Sequence, residues 1–165
     1  MTLGHKFQID QQKMLAFSRS DKYIASPTGD LDILVYDTET RKVHCEIKQA
    51  HQSNFSNKIP PSTIIEKIRC LQISNDDKYV ISSSNDRCIK VFSVQTQELV
   101  HNFENIHKSN FFFNFAKFTK LGQVSSIILS HDGRFLISAS DDRSLKVFDL
   151  TTKKQIHQFN NIHLG

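Results

Sequence analysis

The sequence predicts an all-β fold: three stacked, four-stranded antiparallel sheets. Two observations predict it. One is a repeat at a constant offset of 56 residues. The other is a polar turn about every ten residues within each repeat. Residues 68–107 and 124–163 align without a gap, and sixteen of the 40 paired positions are identical. Most of the remainder are like-for-like, as in Tyr79/Phe135, Val80/Leu136 and Ile89/Leu145. Residues 13–51 form a weaker third copy, in which Ser18, Asp21, Lys22, Tyr23, Ser26, Asp30, Val35, Tyr36 and His51 keep the frame. Such a repeat is one supersecondary unit that cannot bury its apolar face alone and must stack on neighbours. It points to binding rather than catalysis.

The third copy reads most clearly. Val124–Leu129 is a short aliphatic run, suited to an inner, buried strand. Ser130-His131-Asp132-Gly133-Arg134 is a turn, because Asp-Gly between two apolar runs is a strong hairpin signal. Phe135–Ala139 is the second strand and Ser140–Arg143 the second turn. Leu145–Leu150 alternates as a third strand, Thr151-Thr152-Lys153 turns again, and Gln155–Phe159 is a more polar fourth strand at an edge. The same frame places strands at Met14–Phe17, Tyr23–Ser26, Ile33–Tyr36 and Val43–Ile47 in the first copy. In the second it places them at Arg69–Ile73, Tyr79–Ser83, Ile89–Val94 and Leu99–Phe103. Pro27 cannot donate to a ladder, so its strand must end there or lie at an edge. A meander with apolar residues on both faces is built to be sandwiched between similar sheets, as in a propeller blade.

Each copy also carries motifs. Gly4-His5 precedes the first, while Ala50-His51 and Asn105-Ile106-His107 precede the others. Ser74-Asn75-Asp76-Asp77 and Ser130-His131-Asp132-Gly133 form the first turns. Ser82-Ser83-Ser84-Asn85-Asp86 and Ser138-Ala139-Ser140-Asp141-Asp142 form the second. Tyr36-Asp37, Phe92-Ser93 and Phe148-Asp149 close the third strands. In these features the chain resembles the WD-repeat β-propeller family, with Phe or Tyr where that family has Trp. The resemblance covers almost the whole chain. It implies WD-type blades in a partial, open propeller, the blades being approximately 5–51, 68–107 and 124–163 with inserted loops 52–67 and 108–123. It also implies a structural hydrogen-bond network in each blade: His5, Ser26, Asp30 and Tyr36; His51, Ser82, Asp86 and Phe92; His107, Ser138, Asp142 and Phe148. Phe has no N–H, so two of the networks lose one bond. His, Ser and Asp together also suggest a hydrolytic triad. The set recurs once per repeat, however, and no nucleophile elbow accompanies it, so no catalytic residue is assigned. One His per blade is too far from the next to share an ion, and no metal or cofactor is expected.

Two insertions set this unit apart, since a repeat of this family runs to about 40–45 residues. Both open as His-x-Ser-Asn-Phe. The first contains Ile59-Pro60-Pro61-Ser62 and the capping-box pattern Thr63-Ile64-Ile65-Glu66. The second holds Phe111, Phe112, Phe113, Phe115, Lys117 and Phe118, the candidate partner-binding residues. Both join an outer strand to the next inner strand, so both should project from one face, where repeat arrays carry binding.

Composition agrees with an interaction protein. The net charge is +4, with Lys and Arg spread along the chain, so nucleic acid is not implied. The three cysteines, Cys45, Cys70 and Cys88, have no metal-like spacing and are expected as buried, reduced thiols. No run is long enough to span a bilayer, so no membrane role is expected. The reading is a non-catalytic protein–protein scaffold in the cytoplasm, with a structural segment of a cytoskeletal or ciliary complex as the alternative, and a propeller enzyme or ligand-binding domain behind both. Three blades cannot surround a channel. Completion of the ring by another chain, by self-association or by a continuation of the same chain is therefore expected, with other protein subunits as partners.

Overall fold

The computed structural model describes residues 14–28, 31–51, 67–104, 106–107, 122–160 and 162. Twelve strands and no helix occur among them. The first sheet is β1 (Ala16–Phe17), β2 (Tyr23–Pro27), β3 (Ile33–Asp37) and β4 (Lys42–Ile47). The second is β5 (Ile68–Ile73), β6 (Tyr79–Ser84), β7 (Ile89–Ser93) and β8 (Leu99–Phe103). The third is β9 (Val124–Leu129), β10 (Phe135–Ser140), β11 (Ser144–Asp149) and β12 (Lys154–Asn160). Each is an antiparallel meander in chain order. Among the described residues the three sheets do not join into a closed ring.

Burial follows position in the meander. Strand β6 is buried along almost its whole length because both of its faces are covered. Strand β12 is exposed throughout, as expected of the polar outer edge. Pro27 is the last residue of β2, pairing with Ile33 where the ladder ends, so its missing N–H costs nothing further. In the third strand of the last sheet, Ser144 joins the ladder and Leu150 does not.

The repeat reappears in the backbone. Three corners of each sheet need a left-handed residue, at Asp21, Asp77 and Gly133, at Leu31, Arg87 and Arg143, and at Arg41, Gln97 and Lys153. Successive members of each set lie 56 positions apart. Only Gly133 is the residue type that adopts this conformation freely. Its missing Cβ also matters, since a Cβ there would lie 3.1 Å from Nδ2 of Asn75 in the neighbouring turn. Each outer strand carries a bulge at the same place. The register slips between Val35 and Tyr36, Val91 and Phe92, and Val147 and Phe148, leaving His44, Val100 and Ile156 unpaired in β4, β8 and β12.

Two apolar layers hold the sheets together. The first unites Tyr23, Ala25, Ile33 and Val35 of sheet one with Ile68, Leu71, Val80 and Phe92 of sheet two. The second unites Ile81, Ile89, Val91 and Phe103 of sheet two with Val124, Ile127, Leu136 and Phe148 of sheet three. The middle sheet is therefore covered on both faces, as a blade between blades. The thiols differ from expectation. Cys45 is buried, and burial raises its thiol pKa, but Cys70 and Cys88 are partly exposed. Cys70 lies at a seam, where its Sγ approaches the Ile127 carbonyl at 3.5 Å. All three are free.

Candidate functional site

The polar groups of the stack concentrate at the seams between sheets. His51 follows β4 of the first sheet, yet its ring is fully buried in the second. Its Nδ1 lies 2.7 Å from Oδ2 of Asp86, in the turn between β6 and β7, and its Nε2 lies 2.7 Å from Oγ of Ser82 on β6. The carboxylate can only accept, so Nδ1–H donates to Asp86, and the Ser82 hydroxyl donates to Nε2. The other carboxylate oxygen of Asp86 accepts from the backbone N–H of Cys88 at 2.9 Å, which closes its own hairpin. One aspartate thus holds both a turn and the histidine of the preceding sheet.

His107 repeats the arrangement between the second and third sheets. Its Nδ1 is 2.9 Å from Asp142 Oδ2 and its Nε2 is 2.9 Å from Ser138 Oγ. A further hydroxyl, Ser144 Oγ, stands 3.0 Å from Nδ1 and donates to Asp142 Oδ1 at 2.6 Å. Burial pushes the His107 pKa below its ordinary value, against the pull of Asp142, so the imidazole is neutral at pH 7. Burial alone would raise the Asp142 carboxyl, but hydrogen bonding from Ser144 and the charge and hydrogen bond of His107 outweigh it and hold it below the usual carboxylate range. The pair is therefore a neutral ring on a charged acid.

Ser82–His51–Asp86 has the connectivity of a hydrolytic triad, but it cannot work as one. Ser82 and His51 have no exposed surface, so no acyl group can reach the hydroxyl. The same holds for Ser138 and His107. Among the described residues no cluster of His, Cys, Asp and Glu could hold a metal ion.

The aromatic residues in the tryptophan position differ in setting. Phe148 and Phe92 are buried, and the Phe148 ring meets Phe103 of the preceding sheet at 4.8 Å. Tyr36 is only partly covered, because it lies on the outer face of the first sheet. In that sheet the buried Ser26 donates to the Pro27 carbonyl at 3.3 Å. His5 and Asp30 lie outside the described residues, as do Gly4, Thr63–Glu66 and the candidate partner residues Phe111, Phe112, Phe113, Phe115, Lys117 and Phe118.

Three contacts escaped the sequence reading. Lys146 is buried and its Nζ donates to the Ile106 carbonyl across the second seam. Asp149 is paired with Arg134 at 3.0 Å and caps the next turn through the N–H groups of Thr151 and Thr152. The first turns of all three sheets also converge. Arg19 Nη1 and Asn75 Nδ2 both donate to the His131 carbonyl, at 2.6 and 2.7 Å, and Ser20 donates to Asp77. The only signal for Asp149 was its place in the motif, since Asp37 caps its own turn through Thr40 in the same way.

These features match known repeats. The WD40 family model, WD domain, G-beta repeat, matches residues 61–93 and 116–149. The nuclear distribution protein PAC1 of Lachancea thermotolerans is 33% identical over 89 residues, which is 53% of this chain and 19% of that protein. The proteins of the same name from Saccharomyces cerevisiae strains YJM789 and RM11-1a are each 30% identical over 92 residues, 53% of this chain and 18% of theirs. The chain thus spans less than a fifth of the length of these curated relatives. Three meanders stacked through two histidine clasps, two of them overlapping the matched repeats, thus give the chain WD-type blades that carry Phe or Tyr in place of Trp.

Proposed function

We propose that the chain is a non-catalytic interaction scaffold that works inside a larger protein assembly. The carrying observation is the pair of uncovered apolar faces at the ends of the stack. Leu15 and Phe17 on the first sheet, and Ile128 and Phe159 on the third, are among its most exposed large apolar residues. Contiguous apolar surface of this kind marks a place where another protein sits. WD40 repeats generally serve as scaffolds, which supports the same reading. The His–Ser–Asp sets act in it as structural networks, and Phe111–Phe118 as the partner contact.

Likeness to proteins named for nuclear distribution supports a cytoplasmic assembly, because a protein that distributes nuclei works where nuclei move. Among the described residues no helix is long and apolar enough to cross a membrane. The test is native capture of the tagged chain followed by identification of bound subunits. Replacing Phe112 and Phe113 together by Ser should remove a partner while the melting temperature stays within about 2 °C of the parent, as for exposed substitutions. Loss of the fold and of binding in proportion would make the segment a cap on the sheets instead of a contact.

A further inference from the structure

Every seam in this stack joins the trailing face of one sheet to the leading face of the next. At the second seam the trailing face presents Ile81, Val91 and Phe103, and the leading face presents Ile127, Leu136 and Phe148. The offset of 56 residues carries the first set to Ile137, Val147 and Phe159 on the third sheet. Stepped back two repeats, the second set falls on Leu15, Ile24 and Tyr36 on the first sheet. The residue types are preserved, but the burial is not. Phe103 is 6% exposed and Phe159 48%. Ile127 is 2% exposed and Leu15 55%. One chain therefore displays both halves of an interface that it already builds twice within itself.

We propose that a second copy of this chain covers both faces, head to tail. The third sheet of each copy packs on the first sheet of the other, giving two equal seams related by a two-fold axis. Heterologous contacts of this kind form a ring when the rotation closes. Two chains of three sheets make six, within the range of about four to eight blades that closes a propeller. The new seam needs no buried lysine. At the internal second seam Lys146 must reach the Ile106 carbonyl, whereas in the first sheet Leu34 occupies the register of Lys146. This proposal rests on the scaffold reading only in taking the open faces as binding surfaces.

Light scattering on the purified 165-residue chain tests it, with no other protein present. The expected particle is twice the 19.0 kDa chain. Ile24→Glu on the leading face and Val147→Glu on the trailing face should each weaken the dimer about thirtyfold or more, because a charge is then buried without a partner. Both sites are only partly covered, so each variant should keep the far-ultraviolet circular dichroism of the parent. Mixing the two variants restores one intact seam, and the dimer should return. A monomeric parent, a larger oligomer, a dimer broken by only one of the variants, or no recovery on mixing would each overturn the proposal. A monomer that still captures other subunits would leave the scaffold reading standing. A dimer that captures none would leave the pairing standing.

Discussion

The two internal seams are built to one plan and filled differently. At the first, His51 meets Asp86 and Ser82, and the serine position of the third sheet is taken by Cys88. At the second, Ser144 adds a hydroxyl to the same site and Lys146 adds a tie to the preceding sheet. The first clasp is the drier one: the Asp86 side chain is 3% exposed and that of Asp142 12%. The bulged residue of the outer strand differs as well. In the first sheet it is His44, whose ring lies on Tyr23 at 4.9 Å. In the second it is Val100, and beside it a cleft of about 360 Å³ opens between sheets two and three, lined by Tyr79, Phe103 and Leu150. A shared backbone frame therefore does not fix how tightly neighbouring blades close. The few side chains at the clasp and the bulge decide it.

The sharpest way to test this contrast is to remove the acid from each clasp. Asp86→Ala should cost about 2–3 kcal/mol and Asp142→Ala about 1–2 kcal/mol, because Ser144 can still serve His107, whereas the same position in the second sheet holds Cys88, a weaker hydrogen-bonding group. Thermal or urea melts of the two variants should rank in that order. Equal losses would mean that the extra hydroxyl has no weight. Asp149→Ala should also destabilise, since Asp149 is buried and holds both Arg134 and a turn.

A gentler probe is acid. The folded state holds His107 neutral, with its pKa below the ordinary 6.5, so the unfolded chain binds the proton first. Its contribution is complete above pH 6.5 and declines as the pH falls through 6.5 toward the lowered folded value. The Asp142 contribution is complete above 3.8 and declines below it. Urea midpoints measured from pH 7.5 downward should therefore fall in two stages. The upper stage should shrink in His107→Gln, and an unchanged profile would remove His107 from the account.

The smallest effect expected is a gain. Gln97 and Lys153 are exposed and sit at left-handed corners where the first sheet has Arg41. Gln97→Gly or Lys153→Gly relieves a side chain in that conformation and should stabilise by about 0.5–1 kcal/mol. A loss in both would show that these side chains hold the corner by contacts that outweigh the backbone cost.

The strand frame was legible in the sequence because a 56-residue repeat aligns each weak signal with two others. The outer ends of β4, β8 and β11 moved by no more than a residue or so from the expected ones. The His–Ser–Asp proximities at both seams were legible for the same reason, through the resemblance that placed them. The bulges were not, because His44, Val100 and Ile156 share no chemistry that marks an unpaired residue. The corners were equally silent. Leu31, Arg87 and Arg143 adopt a conformation that only Gly or Asn would have announced. The thiols misled because Cys45, Cys70 and Cys88 fall at three different places in the repeat, and only the first is buried.

The clasp has a consequence for how the stack comes apart. His51 belongs by sequence to the first repeat and by burial to the second, and His107 stands in the same relation to the third. In each later sheet the Ser hydroxyl and one carboxylate oxygen of the Asp are met by the histidine of the preceding repeat. Loosening one sheet therefore strips a polar partner from the interior of the next, on top of the apolar surface that the seam exposes. In a linear array whose cohesion is a sum of unit and neighbour energies, this shifts weight from the units to the couplings. Strong coupling suppresses partly melted arrays, so the three sheets should lose their structure in a single cooperative step.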